Sequence, residues 1–329
     1  MRPGVSVFTG MCAMLLGIAV HAQELRSVSI SGLEITYPAG EKAIVSRVAE
    51  AVPGMLGFLR EKGLPVKTPV HVFLDDDLDL PDVQVNMIPH RGIHIPLRAP
   101  GVFEEGYLQE DPWTYFLFKG LCLQGVYSVR GGLPGSLHAV FGEVSSPNLV
   151  NPPWLLEGIS SLLYRQYSPE AREDPFEETL LKVPVPADIS KMSNHPDAWP
   201  GYFGYRIYGK PFIAWLHGRY GWDALLRFLA SQGSSLLPVE IELKARDVFG
   251  TGWVTLWDEF MEEAGLLKGT NGMEPVSGFV PGPFITWNHA GVDPGIKRVR
   301  HRGRYGYYGE NSTLWLSEYD REGIVHVIG

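Results

Sequence analysis

Cysteine is almost missing from this sequence: there are two in 329 residues. Cys12 lies in an apolar stretch near the N-terminus that is expected to be removed, so Cys122 stands alone and an intrachain disulfide is excluded. An exported protein of this size without disulfides suits a bacterial periplasm better than a eukaryotic secretory route. Long hydrophobic runs are missing too. The stretch from Met11 to Val20 is about ten residues, half of what a bilayer-spanning helix needs, and no later segment exceeds it. Basic residues are short: 28 Lys and Arg face 37 Asp and Glu, a formal net charge of −9, which argues against nucleic acid as a partner. A Gly-x-Ser-x-Gly elbow is absent as well, so the usual route to a Ser-His-Asp hydrolase is closed.

The first 22 residues have the parts of a signal peptide. Arg2 supplies the charged n-region, residues 11–20 the apolar core, and Val20-His21-Ala22 a small-residue cleavage site before Gln23. Thr9-Gly10-Met11 before Cys12 is a poor lipobox, which disfavours lipidation. The protein is therefore expected to be secreted or periplasmic. Its mature length of about three hundred residues exceeds what one core usually organises, which points to one large domain with an appendage.

Residues 28–36 alternate in strand fashion through Val28, Ile30, Leu33 and Ile35. A helix is expected over 41–62, where Ile44, Val48, Val52, Leu56 and Leu59 recur at helical spacing. Residues 70–74 read as a buried strand running into Asp75-Asp76-Asp77, a solvated turn. Residues 83–97 read as a strand or hairpin turning at Gly92. Helices dominate next. Asp111 is a credible N-cap with Pro112 at the first position of a helix over 113–128. Others are expected over 154–167, 204–219, 222–231, 239–247 and 252–264, with Gly221, Gly233 and Gly250 as stops. Strands first and helices after is the order of an α+β domain. Beyond about Gly265, Gly and Pro become dense, and short β-rich runs occur at 283–287, 304–308, 313–316 and 323–328. Their spacing fits one four-stranded propeller-like blade, which cannot close a ring alone. The last run ends inside an apolar strand, so either the propeller continues beyond this chain or these strands pair elsewhere.

Three stretches carry a family resemblance. The first is Asp111-Pro112-Trp113-Thr114-Tyr115-Phe116. The second is Phe141-Gly142, Pro147-Asn148 and Pro153-Trp154-Leu155-Leu156-Glu157-Gly158. The third is Trp199-Pro200-Gly201, Tyr205, Tyr208-Gly209 and Phe212, continuing through Tyr220-Gly221 to Val248-Phe249-Gly250. In this order they resemble the gluzincin-like domain (peptidase MA superfamily) that precedes TolB-like propellers in some exported bacterial proteins. The resemblance covers about 30–265. It implies a thermolysin-like fold at 23–268, a partial propeller at 269–329, and Glu157 at the third zinc-ligand position.

The chemistry departs from the family. The first stretch puts Phe118-Lys119-Gly120-Leu121-Cys122 where the family has His-Glu-x-x-His. Two His at that spacing share a helical face and hold zinc, with the Glu as general base. Phe118 cannot ligate, Lys119 brings a positive charge, and Gly120 in a helix costs roughly 1 kcal/mol. Only Cys122 as a thiolate and Glu157 remain as donors, short of the three protein ligands a catalytic zinc needs. The bland alternatives weigh more: Glu157 as a salt-bridge partner of Lys119, Cys122 as a small buried residue, and Tyr205 and Tyr208 as core aromatics instead of oxyanion-stabilising hydroxyls. His90, His94 and His138 flank the region and could rebuild a metal site. However, Pro89 and Gly92 argue against a shared helical face for the first two.

The resemblance thus implies an exported peptidase-like protein without peptidase activity, expected to carry no cofactor and to bind a peptide or an envelope protein. The alternative is an active zinc metallopeptidase with atypical ligands. A third reading is a structural partner of a propeller with a vestigial first domain. N-terminal sequencing of exported material should start at or near Gln23, and a chain still beginning at Met1 would defeat the signal-peptide reading.

Overall fold

The computed structural model describes residues 24–75, 82–88, 90–100, 106–141, 146–171, 189, 192, 204–235 and 240–264, plus four short strands beyond residue 296. The signal segment, the runs at 283–287 and 313–316, and Trp199-Pro200-Gly201 lie outside the described residues.

The chain opens with a hairpin of β1 (Leu25–Ile30) and β2 (Leu33–Pro38). A single strand over 28–36 was expected. The apolar spacing slips from two to three between Ile30 and Leu33, and there Ser31 and Gly32 take φ of 50° and 84°, the pair of positive values a type I′ turn requires. Helix α1 (Lys42–Glu61) follows and buries Val45, Val48, Val52, Met55 and Leu59. Ile44 and Leu56, expected on its inner face, lie at the margins of that stripe. β3 (Val70–Asp75) runs parallel to β2 and to β5 (Gly92–Pro96), while β4 (Gln84–Asn86) pairs antiparallel with β5 at the edge. Gly92 is therefore not the turn but the first residue of β5, opposite Asn86. This register pairs Val85 with Ile93 and sets Ile93 and Ile95 on the core face; a turn at Gly92 would forfeit it.

The five strands form one mixed sheet in the order β1-β2-β3-β5-β4. Leu33, Ile35, Val70, Val72, Leu74, Ile93 and Ile95 make its buried face. Glu34, His71, Phe73 and His94 alternate onto the opposite face. Helices α1 and α2 (Pro112–Ser128) cover the buried face, α1 against β2 and α2 against β4 and β5. Asp111 caps α2 by accepting from the Thr114 N–H at 3.3 Å and from its hydroxyl at 2.7 Å. From Tyr115 to Ser128 every residue of α2 is buried, so this is the central helix of the domain. Gly120 has a packing reason here. A Cβ at that position would stand 2.5 Å from Ile93 Cγ2 and 3.2 Å from Val83 Cγ2, so glycine sets how closely α2 approaches the sheet.

The remaining described helices are α3 (Gly132–Phe141), α4 (Pro153–Tyr167), α5 (Gly204–Tyr220), α6 (Trp222–Gly233), α7 (Ile241–Phe249) and α8 (Trp253–Glu263). All but α3 lie within two residues of the expected spans. α3 was not foreseen because its Gly-Leu-Pro-Gly opening reads as a turn. α4 and α5 touch through their backbones: a Cβ on Gly209 would lie 2.5 Å from the Trp154 carbonyl oxygen, and one on Gly158 2.5 Å from that of Gly209. The domain is thus α+β, a mixed N-terminal sheet followed by helices.

Near the C-terminus, β6 (Lys297–His301) pairs with β7 (Arg304–Tyr308) and β8 (Glu318–Tyr319) with β9 (Val325–His326). Among the described residues these form two two-stranded sheets. β6 was not expected because its basic sequence, Lys-Arg-Val-Arg-His, hides the alternation that an apolar face would display.

Substituting Gly120→Ala separates propensity from packing. Propensity alone would stabilise α2 by about 1 kcal/mol. Overpacking against Ile93 should instead destabilise by about 1–3 kcal/mol, read as a lowered midpoint in urea.

Candidate functional site

α2 is apolar except at a few positions, and the charged one is Lys119, whose side chain is only 4% exposed. α4 buries Glu157, 3% exposed, on the side where it crosses α2. An ammonium ion taken out of water costs several kcal/mol unless it is paired and hydrogen-bonded, so this helix crossing has to supply carboxylates. It does: Lys119 Nζ lies 2.7 Å from Glu157 Oε2. The same ammonium donates to both oxygens of Asp82, at 3.0 and 2.8 Å. The backbone approach of Gly158 and Gly209 brings in a fourth charge, Lys210 on α5, 3.7 Å from Glu157 Oε1. These contacts set two cations against two carboxylates. Asp82, in the segment leading into β4, is the most exposed of the four, with a third of its side chain exposed, and Lys210 is partly exposed as well.

Phe118 does not face this cluster. Adjacent residues of a helix point about 100° apart, and Phe118 turns toward Phe58, Tyr164 and Tyr167, with ring centroids 6.0, 5.3 and 5.1 Å away. Cys122 is fully buried. Burial, and after it the negative charge of Glu157, push its thiol up from 9.0 to about 12 against the opposing pull of Lys119. It is therefore a neutral thiol at physiological pH, a poor metal ligand and a poor nucleophile. Tyr208 is buried against Trp257, ring centroids 6.0 Å apart, and burial raises its phenol; Tyr205 packs half-buried against the core.

The histidines are scattered. His90 is exposed in the turn before β5. His94 lies on the sheet face away from α2, stacked on Phe73 at 4.8 Å. His138 Nδ1 accepts from Arg130 Nη1 at 2.7 Å. Among the described residues, no group of three or more His, Cys, Asp or Glu is placed to hold a metal ion. The zinc that the resemblance implies does not fit the residues at the three family positions. Those positions hold an aromatic ring in an aromatic cluster, a protonated thiol, and a carboxylate engaged by Lys119 and approached by Lys210.

Asp82 and Lys210 were missed from the sequence. Asp82 stands a few residues beyond an acidic run read as a solvated turn, and Lys210 lies among the aromatic and glycine positions of α5. The usable signal was Lys119 itself, since a buried lysine calls for more than one nearby carboxylate.

The network makes the two ends of the buried pair unequal. Glu157→Gln leaves Lys119 with Asp82 and should cost about 3 kcal/mol; Lys119→Met leaves Glu157 with the more distant Lys210 and should cost about 5. The double variant Lys119→Met/Glu157→Leu should cost less than either single change, because no buried charge is left uncompensated. Equilibrium unfolding in urea gives the order, and a double variant worse than both singles would contradict it.

Compared with known proteins, the chain matches no protein-family model and no curated protein.

Proposed function

We propose that this is an exported, gluzincin-like domain that has exchanged its zinc centre for a buried ion-pair network and acts by binding an extended peptide or a protein of the cell envelope. The observation that carries the reading is the 2.7 Å contact between Lys119 and Glu157. These are the positions where the resemblance puts the general base and the third zinc ligand. A lysine there repels a dication and satisfies the carboxylate that would otherwise hold it.

The mixed sheet ahead of the helices suits a thermolysin-like arrangement, and the paired strands beyond residue 296 suit the start of a TolB-like propeller. A peptide-binding role needs only an accessible strand edge, and loss of metal ligands leaves such an edge in place. β4 is that edge: it pairs with β5 on one side and, among the described strands, with none on the other. No helix among the described residues is long and apolar enough to cross a membrane.

Metal analysis of the purified mature protein, together with a cleavage assay on an unfolded polypeptide such as casein, tests the proposal. No stoichiometric zinc and no cleavage sensitive to a chelator are expected. One equivalent of tightly held zinc with chelator-sensitive cleavage would overturn it in favour of a metallopeptidase with atypical ligands.

A further inference from the structure

We infer that the β6–β7 hairpin is a membrane-contact element whose ligand is the phosphate of anionic phospholipid headgroups at a bilayer surface. Charge is unevenly placed along this chain. Lys297, Arg298, Arg300, Arg302 and Arg304 fall within eight residues, and no Asp or Glu occurs between Asp293 and Glu310. With these five set aside, 23 of the 28 Lys and Arg remain against all 37 Asp and Glu. The protein is thus acidic with one basic segment, and that segment spans the paired strands β6 and β7.

The register of the hairpin adds a second observation. Each Lys or Arg of β6 stands opposite a tyrosine of β7: Lys297 opposite Tyr308, Arg298 opposite Tyr307 and Arg300 opposite Tyr305. Strand alternation puts Arg298, Arg300, Tyr305 and Tyr307 on one face of the ribbon. That combination suits a membrane–water interface. Arginine offers a planar fork of donors that matches a phosphate. Tyrosine joins an apolar ring to a polar hydroxyl, the build enriched at headgroup depth.

Charge complementarity selects the surface. A bilayer rich in anionic lipid attracts clustered Lys and Arg and repels a body with an excess of acidic residues, so the hairpin is the part that touches. The strand near β7 does not cancel this: β8 brings Glu318, and from Lys297 to Gly329 six Lys and Arg still exceed four Asp and Glu. A nucleic acid carries phosphates too. The export proposed above, on which this inference rests, puts phospholipid and not nucleic acid within reach of the hairpin.

The test uses the full mature chain and sedimentation with vesicles of phosphatidylcholine, alone or mixed equally with phosphatidylglycerol. Binding to the anionic vesicles is expected at low salt, falling steeply as salt rises, with none to phosphatidylcholine alone. Arg298→Gln/Arg300→Gln should weaken binding to the anionic vesicles about thirtyfold, about 2 kcal/mol at 1.4 kcal/mol per tenfold. Tyr305→Ser/Tyr307→Ser should weaken it while leaving the salt dependence unchanged. Arg60→Gln/Arg227→Gln removes the same charge from exposed positions on α1 and α6 and should change binding far less. Equal losses in the two arginine pairs would mark an effect of net charge and overturn the inference. So would equal binding to both vesicles, binding to neither, or tighter binding to a short DNA duplex at the same salt. The salt series on the unchanged chain is independent of how any variant folds. Any of these failures in a chain that starts at Gln23 overturns the membrane contact alone and leaves the exported peptide-binding domain standing.

Discussion

A single buried ammonium group organises the centre of this domain. Lys119 sits in a helix that is otherwise packed on every side, and the cost of holding its charge out of water propagates outward. It requires Glu157, and so fixes how α4 crosses α2. Glu157 in turn lies close to Lys210, which depends on the backbone contact between α4 and α5 at Gly158 and Gly209. Asp82 joins from the sheet side and ties the segment before β4 to the same helix. Sheet, central helix and helical layer are thus joined through one charge.

The neighbouring groups take their character from this arrangement. Cys122 follows Lys119 by three residues on α2, yet full burial and, after it, the negative charge of Glu157 keep its thiol protonated. Phe118, one residue before Lys119, belongs to a different environment, the aromatic cluster between α1 and the end of α4. A metal site needs its donors to converge with their protons removed. Here one position points away and another holds its proton.

Beyond the turn at Gly32, two sets of glycines act by distance. Gly120 admits Ile93 and Val83 close to α2, and the Gly158–Gly209 pair lets α4 and α5 meet backbone to backbone. At Gly120, the helix-propensity penalty read from the sequence is the local cost of a contact that a larger residue would prevent.

Local signals were enough to read most of the elements. Apolar periodicity gave α1 and β3, the Asp111-Pro112 pair gave the start of α2, and glycine stops bounded α5 to α7 to within two residues. These depend on neighbours in the chain, so the sequence by itself determined them, along with the α+β order, whereas the pairing of Lys119 with Glu157 was an expectation carried by the family resemblance. Where the chain doubles back, sequence reading failed. The Ser31-Gly32 turn was hidden inside an alternating run, and Gly92 was taken for a turn when cross-strand register makes it the start of β5. Only the tertiary structure decided that Asp82 and Lys210 join Lys119 and Glu157, that Phe118 faces aromatic rings, and that β4 is the outermost of the described strands, beside Lys119. Each of these is a contact between segments far apart in the chain, set by helix crossing and strand order, and no pattern within a single segment encodes it.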